Sequence, residues 1–312
     1  MNISTLELGS TAMYEGEFAD RKQDFSEACK WLSEEMGFPY KKTRMGDYER
    51  LLDTFFNPDA KVPAKQDLLD DFYSFMQAAT EAIQIIRLWN TFKVGNHQGL
   101  KERIKHVMSG KSLRAEAIKK NKNGQNDDPA RDFAFELNIA SRFLKAGYQV
   151  DLTDECDVVV TIDRKKLYIE CKRIKSLKKL GSRIKEASNQ IDVRIGRERK
   201  NKFGLIALDV TDVLIPDGTV TAISDVRLYN MQIQKMITDF VRKNQTVSDS
   251  NKGRNVAGIL FEYNSCAFFP NDKTKPTLGF GRSACMYRQL EQSKKSFKFV
   301  DCFVDKIANQ NI

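Results

Sequence analysis

Hydrophobic and polar positions follow two rhythms along this chain, and the change from one to the other divides it. Residues 18–36, 65–92 and 98–108 have helical spacing, with Trp31, Phe72, Phe75, Ile83, Ile86 and Trp89 among the apolar positions. A polar stretch over 119–128 then predicts a linker or loop. Beyond it the pattern is mixed. Residues 129–146 predict a helix: Asp127 and Asp128 precede Pro129, Gly147 follows, and Phe133, Leu137, Ala140, Phe143 and Leu144 form the apolar stripe. Runs at 148–152, 156–162 and 166–172 read as strands, and 203–210 is apolar enough for a central, buried strand. A helix over 181–198 carries Ile184, Ala187, Ile191 and Ile195 on one side. Further along, the pattern predicts a helix over 224–243, strands over 256–263, 266–270 and 297–304, and a bend at Gly279-Phe280-Gly281-Arg282. The expected architecture is a mixed α/β (α+β) domain over 129–312, a sheet flanked by helices, preceded by an all-helical region over 1–118.

Composition removes several function classes. The chain has 312 residues, 41% of them hydrophobic, and contains no apolar run approaching a membrane span. Its start, MNISTLELGSTAMYEGEF, lacks the basic-then-apolar layout of a secretory signal. The six cysteines are scattered without a C-x-x-C pair, which argues against a zinc ribbon and for reduced thiols in a cytoplasmic protein. Two histidines, His97 and His106, are too few and too remote for a histidine–metal nuclease or a zinc deaminase. No glycine-rich phosphate loop is present.

Candidate chemistry lies in the two strands over 156–172. Alternation in the second puts Leu167, Ile169 and Cys171 on one face and Tyr168, Glu170 and Lys172 on the other. The first begins at Asp157, and a polar turn through Asp163-Arg164 would fold it back so that Asp157 approaches Glu170. Two carboxylates and an amine so placed suit Mg²⁺-dependent phosphodiester hydrolysis: hard oxygen ligands, plus a cation for charge developing on phosphate. Other acid-x-Lys triplets, such as Asp59-Ala60-Lys61 and Glu198-Arg199-Lys200, lack apolar flanks. Glu136 adds a third acid because it falls inside the apolar stripe of its helix, where a carboxylate needs a cationic side chain or a metal. From Arg164 to Lys202 there are 15 Lys/Arg against 4 Asp/Glu, so the whole chain's basic excess is concentrated beside these residues, as phosphate binding requires.

The order Glu136, Asp157, Glu170-Cys171-Lys172 resembles the PD-(D/E)XK superfamily of restriction-endonuclease-like nucleases over about 129–210, although Cys156 stands where the proline of the name would be. The resemblance implies a restriction-endonuclease-like sheet and a metal-dependent endonuclease. Mg²⁺ or Mn²⁺ would be held by Asp157, Glu170, Glu136 and the backbone carbonyl of Cys171. Lys172 would stabilise the transition state as a metal-activated water attacks in line. Double-stranded DNA is the implied substrate, in bacterial or phage DNA defence, with no membrane involved. Several branches carry a glutamine on the following helix, a position matched by Gln190; Lys175, Arg183, Arg194 and Arg197 join it as candidates to hold nucleic acid. Many relatives cleave as dimers, so a homo-oligomer, or a protein partner held by the helical N-terminal region, is the implied assembly. Two alternatives stay open: a catalytically silent nucleic-acid-binding or scaffold protein on the same fold, and a helical interaction protein in which the triplet is coincidental.

Overall fold

A computed structural model describes residues 3–8, 14–55, 65–117, 128–153, 156–196, 200–215, 221–222, 226–269, 277–289, 294–308 and 310. Strands β1 (Ile3–Leu8) and β2 (Tyr14–Glu17) lead into helices α1 (Phe18–Glu34), α2 (Arg44–Phe55), α3 (Lys65–Phe92), α4 (Leu100–Met108), α5 (Arg114–Ala117) and α6 (Pro129–Lys145). Then come β3 (Gln149–Asp151), β4 (Val158–Ile162), β5 (Lys165–Arg173), α7 (Leu180–Ile195), β6 (Lys202–Asp209), α8 (Thr211–Leu214) and β7 (Thr221–Ala222). The chain closes with α9 (Val226–Lys243), α10 (Gln245–Asn251), β8 (Val256–Phe269), β9 (Thr277–Gln289), α11 (Lys294–Asp301) and α12 (Val304–Ile307).

All described strands belong to one mixed sheet in the order β1-β9-β8-β6-β5-β4-β3, with β2 also on β9 and β7 also on β8. The parallel pairs β5–β6 and β6–β8 need crossovers, which α7 and the α8–α10 segment supply; short β7 also lies parallel to β8, and the pairs β3–β4, β4–β5, β8–β9, β1–β9 and β2–β9 are antiparallel. Strand alternation sends residues to two cores. Leu167, Ile169, Leu205, Ala207 and Leu260 pack with α1–α4, α6, α11 and α12. Tyr168, Ile206, Leu208, Phe261 and Tyr263 pack under α7 and α9. Strand β6, uncharged and buried from Phe203 to Leu208 on both faces, is a central strand as expected. Helix α7 approaches it so closely that a Cβ at Gly204 would run into Ile191.

Four expectations are corrected. The first residues are not helical: β1 and β2 pair antiparallel with β9, so the chain's start is stitched to its C-terminal third. The two strands expected over 256–263 and 266–270 are one continuous β8. Gly279-Phe280-Gly281-Arg282 is no bend but lies inside β9, where a Cβ at Gly281 would meet Ile233 Cδ1 of α9 at 2.7 Å; the glycine admits a helix, not a turn. Residues 297–304 form no strand but the end of α11, a turn and the start of α12, because Phe299, Val300, Phe303, Val304 and Ile307, all buried, recur at helical spacing. Helix α2 was not foreseen. The helices of 1–118 share a continuous apolar core with the sheet. The linker over 119–128 lies, apart from Asp128, outside the described residues. No described helix is long and apolar enough to cross a membrane.

Candidate active site

A tight turn brings the first two acids together. Asp163 and Arg164, at φ 47° and 63°, occupy the two central positions between β4 and β5; positive φ at both is the signature of the type I′ turn, whose twist matches a two-residue hairpin. The antiparallel register runs from Ile162↔Lys165 to Val158↔Ile169, so one further step sets Asp157 opposite Glu170. There the ladder gives way. Asp157 Oδ2 instead accepts the Cys171 backbone N–H at 2.7 Å, which ties the acid across the end of the strand pair.

Glu170 is 1% exposed and faces the α7 side of the sheet. Its Oε1 is buried with no hydrogen-bond partner among the described residues, while Oε2 lies 3.7 Å from Lys172 Nζ. Lys172 also reaches Glu186 of α7 at 4.0 Å. Burial first, and then repulsion from Asp157, push the Glu170 carboxyl up to about 7 against the pull of Lys172. A buried carboxylate oxygen with no donor is costly, and a cation placed against it would remove the cost.

Glu136 approaches from α6 on the other side of the sheet, and a cation already meets it. Arg103 of α4 donates from Nη1 to Glu136 Oε2; its Nε donates to the Leu152 carbonyl at 3.1 Å and its Nη2 to the Cys156 carbonyl at 3.4 Å. One guanidinium therefore pins both ends of the loop that delivers Asp157. Desolvation and then the Asp157 charge still push the Glu136 carboxyl up, to about 8, outweighing Arg103. Asp157 is thus the acid that both of the others feel. Sequence reasoning missed Arg103, yet a signal existed: it falls within the stripe Leu100, Ile104, Val107 of its helix, as Glu136 does in its own.

The residue after Lys172 points to the opposite face and organises a second network. Arg173, its side chain 5% exposed, reaches Asp212 Oδ2 at 2.8 Å, Asp128 Oδ2 at 3.3 Å, Asp132 Oδ1 at 3.4 Å and Asp209 Oδ2 at 3.5 Å. Next to it, Arg131 Nε donates to Glu81 Oε1 at 2.6 Å and Nη1 to Asp128 Oδ2 at 2.9 Å, and Arg44 closes on Glu81 at 3.5 Å. These pairs join α2, α3 and α6 to the ends of β5 and β6. Nothing in residue spacing announced them, since their members lie up to 168 positions apart in Arg44 and Asp212.

The expected nucleic-acid contacts divide. Gln190 is half-buried on α7, its Oε1 buried without a hydrogen-bond partner among the described residues. Arg194 lies near enough to Glu170 to favour its charged form. Arg183 is exposed and bonded to Glu186 at 2.7 Å, and Lys175 is half-buried. Arg197 lies outside the described residues. Lys178, Lys179 and Lys185 are exposed with Arg183 along the start of α7.

Among the described residues, no three His, Cys, Asp or Glu side chains gather closely enough to enclose a metal ion alone. What the site offers is the partial sphere typical of Mg²⁺, which binds through one or two carboxylates and completes itself with water and phosphate. Asp157 and Glu170, with the orphaned Oε1 and the crowded negative charge, fit that requirement. Compared with known proteins, the chain matches no family model, no curated protein and no solved structure.

Proposed function

We propose that this protein is a divalent-cation-dependent nuclease of the restriction-endonuclease-like class, acting on double-stranded DNA in bacterial or phage DNA defence. The observation that carries the reading is the β4–β5 hairpin, which ties Asp157 to the Cys171 N–H next to Glu170, with Lys172 Nζ 3.7 Å from the Glu170 carboxylate. Asp157 and Glu170 would hold Mg²⁺ or Mn²⁺, with the Cys171 carbonyl as a further oxygen on the same strand. When bound, the ion supplies Lewis acidity and a water of lowered pKa. Lys172, balanced between Glu170 and Glu186, presents an ammonium to charge developing on a phosphate oxygen. Arg103 holds Glu136 and the carbonyls flanking the Asp157 loop, fixing the acid that the chemistry needs. Lys178, Lys179, Arg183 and Lys185 give the backbone of a nucleic acid a salt-sensitive landing strip.

Labelled duplex DNA, single-stranded DNA and RNA incubated with Mg²⁺, Mn²⁺ or chelator test the reading. Metal-dependent cleavage is expected, reduced at least ~100-fold in Glu170→Gln and Lys172→Ala with the fold intact. Cleavage at the wild-type rate in both variants would overturn it. One observation favours a second reading, a catalytically silent nucleic-acid-binding protein on this fold: the Glu136 carboxyl is already occupied by the Arg103 guanidinium. Salt-sensitive DNA binding with no cleavage under any metal would establish that alternative.

A further inference from the structure

Arg103 of α4 holds three oxygens of the kind a divalent cation would take. Glu136 Oε2 accepts from its Nη1, the Leu152 carbonyl from its Nε at 3.1 Å and the Cys156 carbonyl from its Nη2 at 3.4 Å. The Arg103 and Glu136 side chains are only 11% and 12% exposed. Contacts on either side fix where the guanidinium can reach. One turn further along α4 and one turn back along α6, His106 stacks on Phe133 at 4.4 Å. At the start of α4, Gly99 has φ 84° and approaches the Leu152 carbonyl so closely that a Cβ would sit 2.7 Å from it.

A carboxylate and backbone carbonyls are ordinary oxygen ligands for Mg²⁺ or Mn²⁺. In two-metal nucleases a second ion sits about 3.5–4 Å from the first and needs acids of its own beside the first site. Glu136 is the acid so placed, since Asp157, after burial, is what pushes its carboxyl up. Its Oε2 is nevertheless taken by a group that does not release its proton near neutral pH. A divalent ion on the same oxygen would stand against that guanidinium, and like charges repel strongly in a half-buried place. Nor do Glu136, Asp157 and Glu170 gather closely enough, among the described residues, for one ion to touch all three.

We propose that Arg103 stands in the place of a second cation, so that the site takes a single divalent ion, at Asp157 and Glu170, and Glu136 is the partner of Arg103 and not a metal ligand. The inference rests on the nuclease reading of that site and specifies its metal content. Arg103 is a positioning residue. It supplies Glu136 with a fixed positive charge and holds the carbonyl of Cys156, the residue before Asp157, where an ion would do so only while bound.

Counting bound Mn²⁺ on the full chain tests it, from the loss of the free-ion electron paramagnetic resonance signal at saturating Mn²⁺ without nucleic acid. Wild type is expected to bind one ion. Arg103→Met, which leaves the three oxygens without their donor, is expected to bind two, and Arg103→Met combined with Glu136→Gln one again. Two ions in wild type, or an unchanged count in Arg103→Met, would overturn the inference and leave the nuclease reading standing. No bound Mn²⁺ in wild type would remove both. Should Arg103→Met fail to fold, wild-type crystals grown in Mn²⁺ decide. One anomalous peak at Asp157 and Glu170, with Arg103 still on Glu136, supports the assignment, and a peak against Glu136 Oε2 refutes it.

Discussion

Glu170→Gln is expected to make the metal-free protein more stable at pH 8. The carboxyl is 1% exposed, one of its oxygens has no donor among the described residues, and burial and Asp157 raise it from 4.5 to about 7. The folded chain therefore holds this proton more tightly than the unfolded chain, and stability falls as pH climbs from about 4.5 through about 7. At about 1.4 kcal/mol for each pH unit, the gap costs the folded protein at most ~3 kcal/mol above pH 7. Asp157 and Glu136 share the repulsion and relax when it is removed, so a gain of about 2 kcal/mol is the expected size. The amide keeps the shape of the acid and carries no charge. At pH 5 the unfolded chain has released only part of its proton, and the gain should shrink below ~1 kcal/mol. Urea unfolding followed by far-ultraviolet circular dichroism, in chelator at both pH values, measures the difference. A variant less stable than wild type at pH 8, or one with the same gain at both pH values, would refute the argument. On the nuclease reading, added Mg²⁺ should stabilise the wild type and not the variant.

Other expectations concern the frame around the site. Arg164→Gly should raise stability by roughly 1 kcal/mol, because φ 63° strains an L-residue in the β4–β5 turn and glycine adopts it freely; chemical denaturation reads the gain. Gly204→Ala should cost about 1–3 kcal/mol, since its methyl would meet Ile191 where α7 rests on β6; a lower thermal midpoint is the readout. Glu81→Ala should cost about 3–5 kcal/mol by leaving Arg131 and Arg44 buried without their carboxylate, measured as a loss of urea midpoint at pH 7. Burial raises the Glu81 carboxyl, but Arg131 and then Arg44 outweigh it and hold it down to about 2. Its contribution is therefore complete above the unfolded value and fades as pH falls toward 2, so the cost of the substitution should diminish in acid.

Elements whose cause is local were legible. Helix α6 has Pro129 at its first turn and an apolar stripe, so its position follows from its own residues. Alternation in β5 forecast which side chains leave on which face, and the clusters around Ile169 and Tyr168 lie accordingly on opposite sides. Where local and distant causes compete, the reading failed. Gly281 of β9 marks the approach of α9, and the aromatic residues of α11 suggest a strand only until their spacing is counted. Strands β1 and β2 owe their state to β9, a partner more than 250 residues away, as in Ile3↔Gln289.

Chain order and residue type by themselves determined which groups are candidates for chemistry: a hairpin with Asp157 at one end and Glu170 and Lys172 on one strand face, a helix with a misplaced acid at Glu136, and a basic surplus around them. That much follows from periodicity and from the expense of putting charge on an apolar stripe. Tertiary structure alone decided how those charges are compensated. Arg103 reaches Glu136 from another helix, Arg173 is enclosed by four aspartates drawn from three segments, and the Glu170 oxygen is left without a donor. Such pairings depend on which helices cover which face of the sheet, and the Coulomb energy that selects them acts through space and not along the chain.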